Sequence, residues 1–195
     1  QACRQYYREH GTNCIYITVN PCIKSSKSVL ELIGSKLNVS SGSVSRLWLE
    51  ISSKLSDGMV IIVDEAQHLT RNAIDTLRSL CDCFDEKGQT LGICFVGNET
   101  TVSRLGGKQK AEFAQIRNRT KNTRFYSVKQ IKKSDIEMLF PDIREDTAAV
   151  EFLLCIAQSP QAIRGAVNLY SNALDNGNVT AKGLSAIAKY MDMAV

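Results

Sequence analysis

The sequence contains no run of 18 consecutive apolar residues, which is about the minimum that a membrane-spanning helix needs. Its first ten residues, QACRQYYREH, hold no apolar segment of the kind found in secretory signal peptides. Internal repeats and low-complexity segments are also missing. These absences give no support for a membrane span or a secretory signal, and we expect a cytoplasmic protein.

Common metal-site and catalytic-triad motifs are missing as well. The two histidines, His10 and His68, stand alone, and neither belongs to a His-Glu-x-x-His pattern. Among the seven cysteines only Cys81 and Cys83 are close together, in a spacing that matches no zinc site. We interpret the cysteines as reduced thiols of an intracellular protein and the histidines as structural or surface residues.

What is present is an ordinary soluble composition with an uneven distribution of charge. Apolar residues make up 44% of the 195 residues and charged residues 23%, so the chain can bury a core of normal size. The formal net charge is +4, but between residues 104 and 133 ten basic residues face a single acid, Glu112. This polarity favours an anionic partner such as nucleic acid or nucleotide, although a solvated surface has the same composition.

Strand-like and helical patterns alternate through the first part of the chain. Apolar, β-rich runs such as MVIIV are typical of strands that are covered on both faces in a parallel sheet. The alternation predicts a three-layer α/β fold with right-handed crossovers. We predict strands at 13–21, 59–63, 90–98 and 124–128, and helices at 1–10, 28–37 with Ser28 as N-cap, 44–55 and 72–84.

The last third of the chain has a different pattern, because no strand signal remains. Four amphipathic helices are predicted there, one that begins at Ser134 and three at 147–158, 161–174 and 180–191. The chain is therefore divided into an α/β core at 1–133 and a small helical domain at 134–195.

Three polar side chains follow two of the predicted strands. Asp64 and Glu65 end the stretch MVIIVDEAQHL, and Asn98 ends the next strand, at the sheet edge where open α/β folds bind ligands. In a nucleoside triphosphatase, Asp64 would hold Mg²⁺ between phosphate oxygens, Glu65 would deprotonate the attacking water, and Asn98 would bond the γ-phosphate or that water. The alternative is that the two acids cap a helix that follows the strand.

The phosphate-binding loop that such a site requires is absent from these residues. The only Gly-Lys pair, Gly107-Lys108, follows the acid pair and is itself followed by Gln109 instead of Ser or Thr. Because the chain opens with a helix and then a strand, we expect the missing strand and Walker A motif to precede Gln1 and to have been lost by truncation or proteolysis. We expect the 195 residues alone to bind ATP weakly.

The order of these motifs resembles that of AAA+ ATPases, and most closely the target-selection ATPases of DNA transposition, of the Mu B, TnsC and TniB kind. The resemblance runs through essentially the whole chain and includes MVIIVDEAQHL, ICFVGNET, FAQIRNRT and SPQAIRGAVNLY. It implies that Asp64 and Glu65 form Walker B and that Asn98 is sensor 1. It further implies an arginine finger at Arg119, or else at Arg117 or Arg124, and a sensor 2 arginine at Arg164 on a helical lid, although each arginine could be an ordinary surface residue.

The same resemblance implies ATP and Mg²⁺ as cofactors, a homo-oligomeric ring or helical filament, and two further partners, double-stranded DNA and a transposase. Sequence-independent DNA binding needs cations and hydroxyl groups aimed at phosphates. The candidates for these contacts are Lys24, Ser25, Ser26, Lys27, Arg104, Lys108 and Lys110.

Two other functions stay open at this point. An AAA+ ATPase of the secretion or replication-initiator type carries related acid pairs, and ATP-dependent assembly on arbitrary duplex DNA would separate it from a transposition protein. A degenerate AAA+ module that serves as a protein-binding scaffold would have no Walker A motif at all.

Overall fold

The computed structural model describes residues 2–98, 100–101 and 122–193 of the chain. The chain divides into two compact units, Gln1–Lys121 and Asn122–Val195, a division that lies somewhat before the one predicted at 133/134. The first unit contains the sheet, and the second is helical in all of its described secondary structure.

Among its described residues, the first unit contains a three-stranded parallel sheet. Its strands are β1 (Cys14–Thr18), β2 (Met59–Asp64) and β3 (Leu91–Phe95), in the order β1-β2-β3. All three were predicted, because β-branched and apolar residues fill both faces of a strand that is covered on both sides. The parallel register brings all three carboxyl ends to one edge of the sheet.

Helices cover both faces of this sheet. Ile15, Ile17, Ile61 and Val63 point to one face, where they pack with α2 (Ser26–Lys36), α3 (Val44–Lys54) and α4 (Arg71–Glu86) in one buried cluster. The side chain of Tyr16 points to the other face, where α1 (Ala2–Glu9) contacts β1. The expected three-layer α/β architecture is confirmed.

The start of α2 differs from the prediction in one detail. Ser25, not Ser28, is the N-cap of this helix, and its hydroxyl accepts a hydrogen bond from the backbone N–H of Ser28. Ser28 completes a capping box, since its own hydroxyl accepts from the backbone N–H of Ser25 at 3.0 Å. The prediction failed because two serines three residues apart both have the composition of a cap.

The second unit contains α5 (Lys133–Leu139), α6 (Thr147–Gln158), α7 (Ala162–Asp175) and α8 (Ala181–Tyr190). Short 3₁₀ turns lie at Val128–Gln130 and Pro141–Ile143. The four predicted helices are therefore present. Small residues such as Ala149, Ala166 and Ala173 are fully buried between them, which lets the helix axes approach closely.

One boundary in this part of the chain differs slightly from the prediction, and one predicted element is wrong. Helix α5 begins at Lys133, one residue before the predicted start at Ser134. The predicted strand at 124–128 is irregular as far as Ser127, and Val128 begins a 3₁₀ turn. Phe125 and Tyr126 are 59% and 83% exposed, so the burial that makes β-rich composition favourable is missing.

Two further properties concern the described residues as a whole. None of their helices has both the length and the apolar character that crossing a bilayer requires. All seven cysteines are described, and each is a free thiol.

Candidate functional site

The acid pair lies at the carboxyl end of the central strand. Asp64 is the last residue of β2, and its backbone carbonyl accepts a hydrogen bond from Val19 beyond β1 at 3.0 Å. On the other side, the N–H of Ala66 donates to the carbonyl of Val96 beyond β3 at 2.9 Å. The backbone around the pair is therefore tied to both neighbouring strands and cannot shift independently of the sheet.

The carboxylate of Asp64 is half-buried and has a partner on each oxygen. Its Oδ1 accepts from the backbone N–H of Glu65 at 3.0 Å, and its Oδ2 accepts from the hydroxyl of Tyr16. A carboxylate has about four lone-pair sites, so these two contacts orient the group and leave acceptor capacity on both oxygens.

Glu65 follows in a conformation that is unusual for a side chain of its type. Its backbone is left-handed, with φ 59° and ψ 34°, which costs a non-glycine residue on the order of 1 kcal/mol or more. The side chain is exposed, and its Oε2 accepts from the amide Nε2 of Gln67 at 2.6 Å.

Gln67 connects this carboxylate to the end of the neighbouring strand. Its Oε1 accepts from the backbone N–H of Asn98 and from the hydroxyl of Thr101, each at 3.4 Å. Gly97 makes this approach possible, because a Cβ at that position would collide with the Gln67 amide oxygen and the Thr101 hydroxyl. The structure thus brings Asp64, Glu65 and Asn98 into one hydrogen-bonded network.

The alternative in which the acids cap a helix is wrong. A 3₁₀ turn at Ala66–His68 follows the pair, and Glu65 makes no side-chain capping bond to it. Helix α4 begins later, at Arg71, and its N-cap is Thr70. The carboxylates are therefore not consumed by helix capping.

The chemistry of these groups fits a magnesium ion that is shared with a phosphate. Carboxylate oxygens are the ligands that Mg²⁺ prefers, and it usually takes only one or two of them together with water and substrate phosphates. In the part of the chain that the structure describes, no group of three or more His, Cys, Asp or Glu side chains could enclose a metal ion. Asp64 would hold the ion and Glu65 would be free to act on water, while the phosphates would complete the coordination.

Three residues of this network were not predicted: Tyr16, Gln67 and Thr101. Tyr16 lies in an apolar strand, where an aromatic residue usually indicates only packing. Gln67 is part of DEAQHL, but its contact with Asn98 depends on a neighbouring strand that is far away in the sequence. A polar hydroxyl inside a predicted buried strand was the one signal that could have pointed to Tyr16.

The loop proposed for DNA contact lies at the start of α2. Lys24 and Lys27 are exposed, and Lys27 lies 3.9 Å from Glu31. The two serines of the set have partners within the protein: the Ser25 hydroxyl caps α2, and the Ser26 hydroxyl accepts from Thr76 at 2.9 Å.

The predicted arginines are only partly covered by the described residues. Arg164 is exposed in the first turn of α7, two residues after Ala162, which has a left-handed backbone with φ 54°. Arg124 is exposed in the irregular segment before the Val128–Gln130 turn. Five predicted site residues lie outside the described residues: Arg104, Lys108, Lys110, Arg117 and Arg119.

Comparison with known sequences gives relatives over most of the chain. The ATP-dependent target DNA activator B of Escherichia phage Mu is 28% identical over 191 residues, which cover 94% of this chain and 56% of that protein. The Mu-like prophage FluMu DNA transposition protein B of Haemophilus influenzae is 27% identical over 181 residues, covering 88% of the chain and 59% of that protein. The chain thus spans somewhat more than half the length of these relatives, and the expected resemblance to transposition proteins is confirmed.

Solved structures show the same fold at low sequence identity. The Aeropyrum pernix ORC1 protein, solved in complex with DNA, superposes with a TM-score of 0.59 at 12% identity, covering 96% of the chain and 53% of that protein. The Thermotoga maritima RuvB Holliday junction branch migration motor has a TM-score of 0.50 at 17% identity, covering 95% of the chain and 65% of that protein. Residues 1–105 also match the sequence model of an AAA domain. Since that match includes more than half of the 195 residues, the chain belongs to the AAA domain family.

Proposed function

We propose that the protein is an ATP-dependent, sequence-independent DNA-binding AAA+ ATPase that selects target DNA and recruits or activates a transposase in DNA transposition. It would act in the cytoplasm as a homo-oligomeric ring or helical filament. The observation that carries the ATPase part is the network at the carboxyl ends of β2 and β3, in which Gln67 links Glu65 to Asn98.

In this network each group has a separate task. Asp64 would hold Mg²⁺ between phosphate oxygens, because its carboxylate is oriented by two donors and keeps open acceptor sites. Glu65, exposed and one residue further along, would take the proton of the attacking water. The side chain of Asn98 would bond the γ-phosphate or that water. This division supports hydrolysis and not merely nucleotide binding.

Two arginines complete the proposed ATPase. Arg119 would act as an arginine finger toward the nucleotide of a neighbouring subunit, a contact that is worth about 10³–10⁵ in turnover where it has been measured. Arg164, in the helical domain predicted at 134–195, would act as the lid arginine. Arg119→Ala should therefore abolish most of the turnover in the oligomer and leave nucleotide binding by single subunits intact.

The 195 residues alone should bind nucleotide weakly. Their sequence contains no glycine-rich loop whose backbone amides would surround the phosphates, and no lysine that would reach the γ-phosphate from it. Titration of this polypeptide with a fluorescent ATP analogue tests the point, and tight binding would contradict it.

The DNA part of the proposal is supported by the names of the relatives and by one edge of the first unit. At that edge the N-termini of α2 and α4 are joined, because the N–H of Thr70, the α4 N-cap, donates to the carbonyl of Lys24 at 3.0 Å. Helix N-termini carry partial positive charge, which attracts phosphate. Lys24 and Lys27 add two exposed cations, so this edge would follow a DNA backbone without reading its bases.

Binding of the natural full-length protein to duplex DNA of arbitrary sequence tests this function. We expect assembly with ATP and none without nucleotide, and we expect affinity to fall steeply with salt. In the double variant Lys24→Ala/Lys27→Ala, the plot of the logarithm of the DNA-binding constant against the logarithm of salt concentration should become less steep by about 2. Each lost phosphate contact reduces the magnitude of this slope by about 0.9. Lys36→Ala, at the other end of α2, is the matched control and should leave the slope unchanged.

Two results of this experiment would contradict the proposal. Absence of ATP-dependent assembly on DNA would favour an AAA+ ATPase of another type, such as a secretion ATPase. Assembly that is identical with and without nucleotide would favour a scaffold that does not use ATP.

A further inference from the structure

Tyr16, which lies outside the predicted site, is hydrogen-bonded to Asp64, the carboxylate proposed to hold the metal ion. The strand register pairs Thr18 of β1 with Asp64 of β2, so Tyr16 lies two residues back on the neighbouring strand. Side chains two residues apart point to the same face of a strand. The Tyr16 side chain therefore runs along the sheet toward Asp64, and its hydroxyl donates to Asp64 Oδ2.

Arg4 of α1 is consistent with this direction of the hydrogen bond. Its Nε donates to the Tyr16 hydroxyl oxygen at 3.4 Å, and a guanidinium group cannot accept a hydrogen bond. The single phenol proton is therefore directed to the carboxylate, which can only accept. The hydrogen bond to Tyr16 also raises the pKa of Arg4 above its usual range.

Two side chains of α1 contact the Tyr16 ring. The guanidinium carbon of Arg4 lies 6.0 Å from the ring centroid, and the ring of Tyr7 lies at the same distance, tilted by 35°. Both partners come from α1, the helix that covers this face of the sheet. The position of the Tyr16 ring, and with it the position of the hydroxyl that contacts Asp64, therefore depends on α1.

The result for Asp64 is a carboxylate with one donor on each oxygen. The backbone N–H of Glu65 holds Oδ1, and Tyr16 holds Oδ2, so rotation about the last side-chain bond would break at least one hydrogen bond. Removing a group that orients a metal ligand in this way usually lowers the affinity for the metal by about 10–100-fold.

We propose that Tyr16, steadied by Arg4, is a positioning residue that orients Asp64 for the magnesium ion of the bound nucleotide. This inference rests on the proposed ATPase function. It adds a contribution from β1 and α1, two elements that carry none of the predicted ATPase residues.

The test measures how strongly Mg²⁺ enhances the binding of a fluorescent, non-hydrolysable ATP analogue to the natural full-length protein, with EDTA as the metal-free reference. In Tyr16→Phe we expect unchanged affinity in EDTA and a loss of about tenfold or more in the enhancement by Mg²⁺. Tyr7→Phe is the matched control, since it removes a hydroxyl from the neighbouring ring, and it should behave like the wild type. Arg4→Ala should give a smaller loss in the same direction.

A double-mutant cycle shows whether Tyr16 acts through Asp64. In an Asp64→Asn background, Tyr16→Phe should cause no further loss, whereas a role in general packing would cost the same in both backgrounds. Arg4 is exposed, so Arg4→Ala decides the question if Tyr16→Phe proves to be unfolded by circular dichroism.

The outcomes separate this inference from the function on which it rests. A wild-type protein whose nucleotide binding is not enhanced by Mg²⁺ would overturn the proposed ATPase and this inference together. A normal enhancement in Tyr16→Phe, beside a wild type that responds to Mg²⁺, would overturn only the role of Tyr16.

Discussion

The two ends of the central strand β2 use carboxylates in opposite ways. At the amino end, Asp57 accepts from the backbone N–H and the hydroxyl of Thr90, at 2.7 and 2.9 Å, and the N–H of Gly58 donates to the Thr90 carbonyl at 2.8 Å. The segment before β2 is thereby clamped to the segment before β3. At the carboxyl end, Asp64 and Glu65 keep acceptor capacity, and Glu65 has a left-handed backbone.

This difference separates a structural carboxylate from a functional one. Both ends connect β2 to β3, but only the carboxyl end maintains a non-glycine residue in an unfavourable conformation with an exposed carboxylate. Such strain persists where the surrounding structure imposes it, and it is concentrated at functional sites. We therefore expect substitutions at the carboxyl end to reduce activity and those at the amino end to reduce stability.

Among substitutions at the two ends of β2, the largest effect is expected for Glu65→Gln. Glutamine can still accept from the Gln67 amide, so the network and the melting temperature should be retained, while the base that takes the proton of water is lost. ATP turnover by the natural full-length protein should fall by about 10²–10⁴, the usual contribution of a general base.

The control for this substitution is Glu86→Gln, at the exposed end of α4, which should leave turnover unchanged. Normal turnover in Glu65→Gln would show that another group deprotonates the water. A lowered melting temperature would show that Glu65 is part of a structural clamp, as Asp57 is.

A pair of glycines compares the two ends directly. At the carboxyl end, Gly97→Ala would push a Cβ into the Gln67 amide and to 3.3 Å from the backbone nitrogen of Ala66. Turnover should therefore fall markedly, because the link between Glu65 and Asn98 opens. At the amino end, Gly58 has φ 76° and open space around it, so Gly58→Ala should cost about 1–2 kcal/mol of stability without loss of turnover.

Steady-state ATP hydrolysis gives the turnover of Gly97→Ala and Gly58→Ala, and thermal unfolding gives their stability. Equal losses of turnover in the two variants would mean that the ends are coupled through the sheet. Unchanged turnover in Gly97→Ala would show that the Gln67 link is not required.

The smallest effect is expected for Asp57→Asn and depends on pH. The backbone N–H of Thr90, and then its hydroxyl, hold the pKa of Asp57 below its ordinary value of about 3.9. Because the pKa is lower in the folded state, the carboxylate stabilises the fold above the ordinary value, and this contribution is lost as pH falls through the lowered one. Asp57→Asn should therefore lower the denaturant midpoint at pH 7, by an amount that shrinks below about pH 4.

Asp85→Asn, exposed on α4, is the comparison for this measurement. If the denaturant midpoints of Asp57→Asn and the wild type differ by the same amount at every pH, the amide replaces the carboxylate poorly for steric reasons. The charge of the Asp57 carboxylate is then irrelevant to stability.

Much of the fold could be predicted from the sequence. The spacing of apolar residues indicates which side chains are buried, and burial determines where most helices and strands form. The three strands of the sheet and the helices of both units follow from runs of apolar residues at spacings of two and of three to four. The segment at 124–128 was predicted wrongly for the same reason. Its composition is that of a strand, but in the structure its aromatic residues are exposed.

The site could be predicted only in outline. The positions of Asp64, Glu65 and Asn98 after two strands are local facts, and a parallel sheet places them on one edge. The contacts of Gln67 with Asn98 and of Tyr16 with Asp64 join residues that lie 31 and 48 positions apart. No local pattern encodes such contacts, since they depend on the register between strands.

Local patterns were therefore sufficient to identify the three strands and the acids that follow β2, because alternation and chain order are properties of neighbouring residues, although β1 and β3 end three residues before their predicted ends. Only folding decided how those acids are used. The tertiary structure turns the Glu65 backbone left-handed, delivers the Tyr16 hydroxyl across the sheet to Asp64, and leaves no room for a side chain at Gly97. These features depend on short-range contacts between residues that are brought together only when β1, β2 and β3 pair in register.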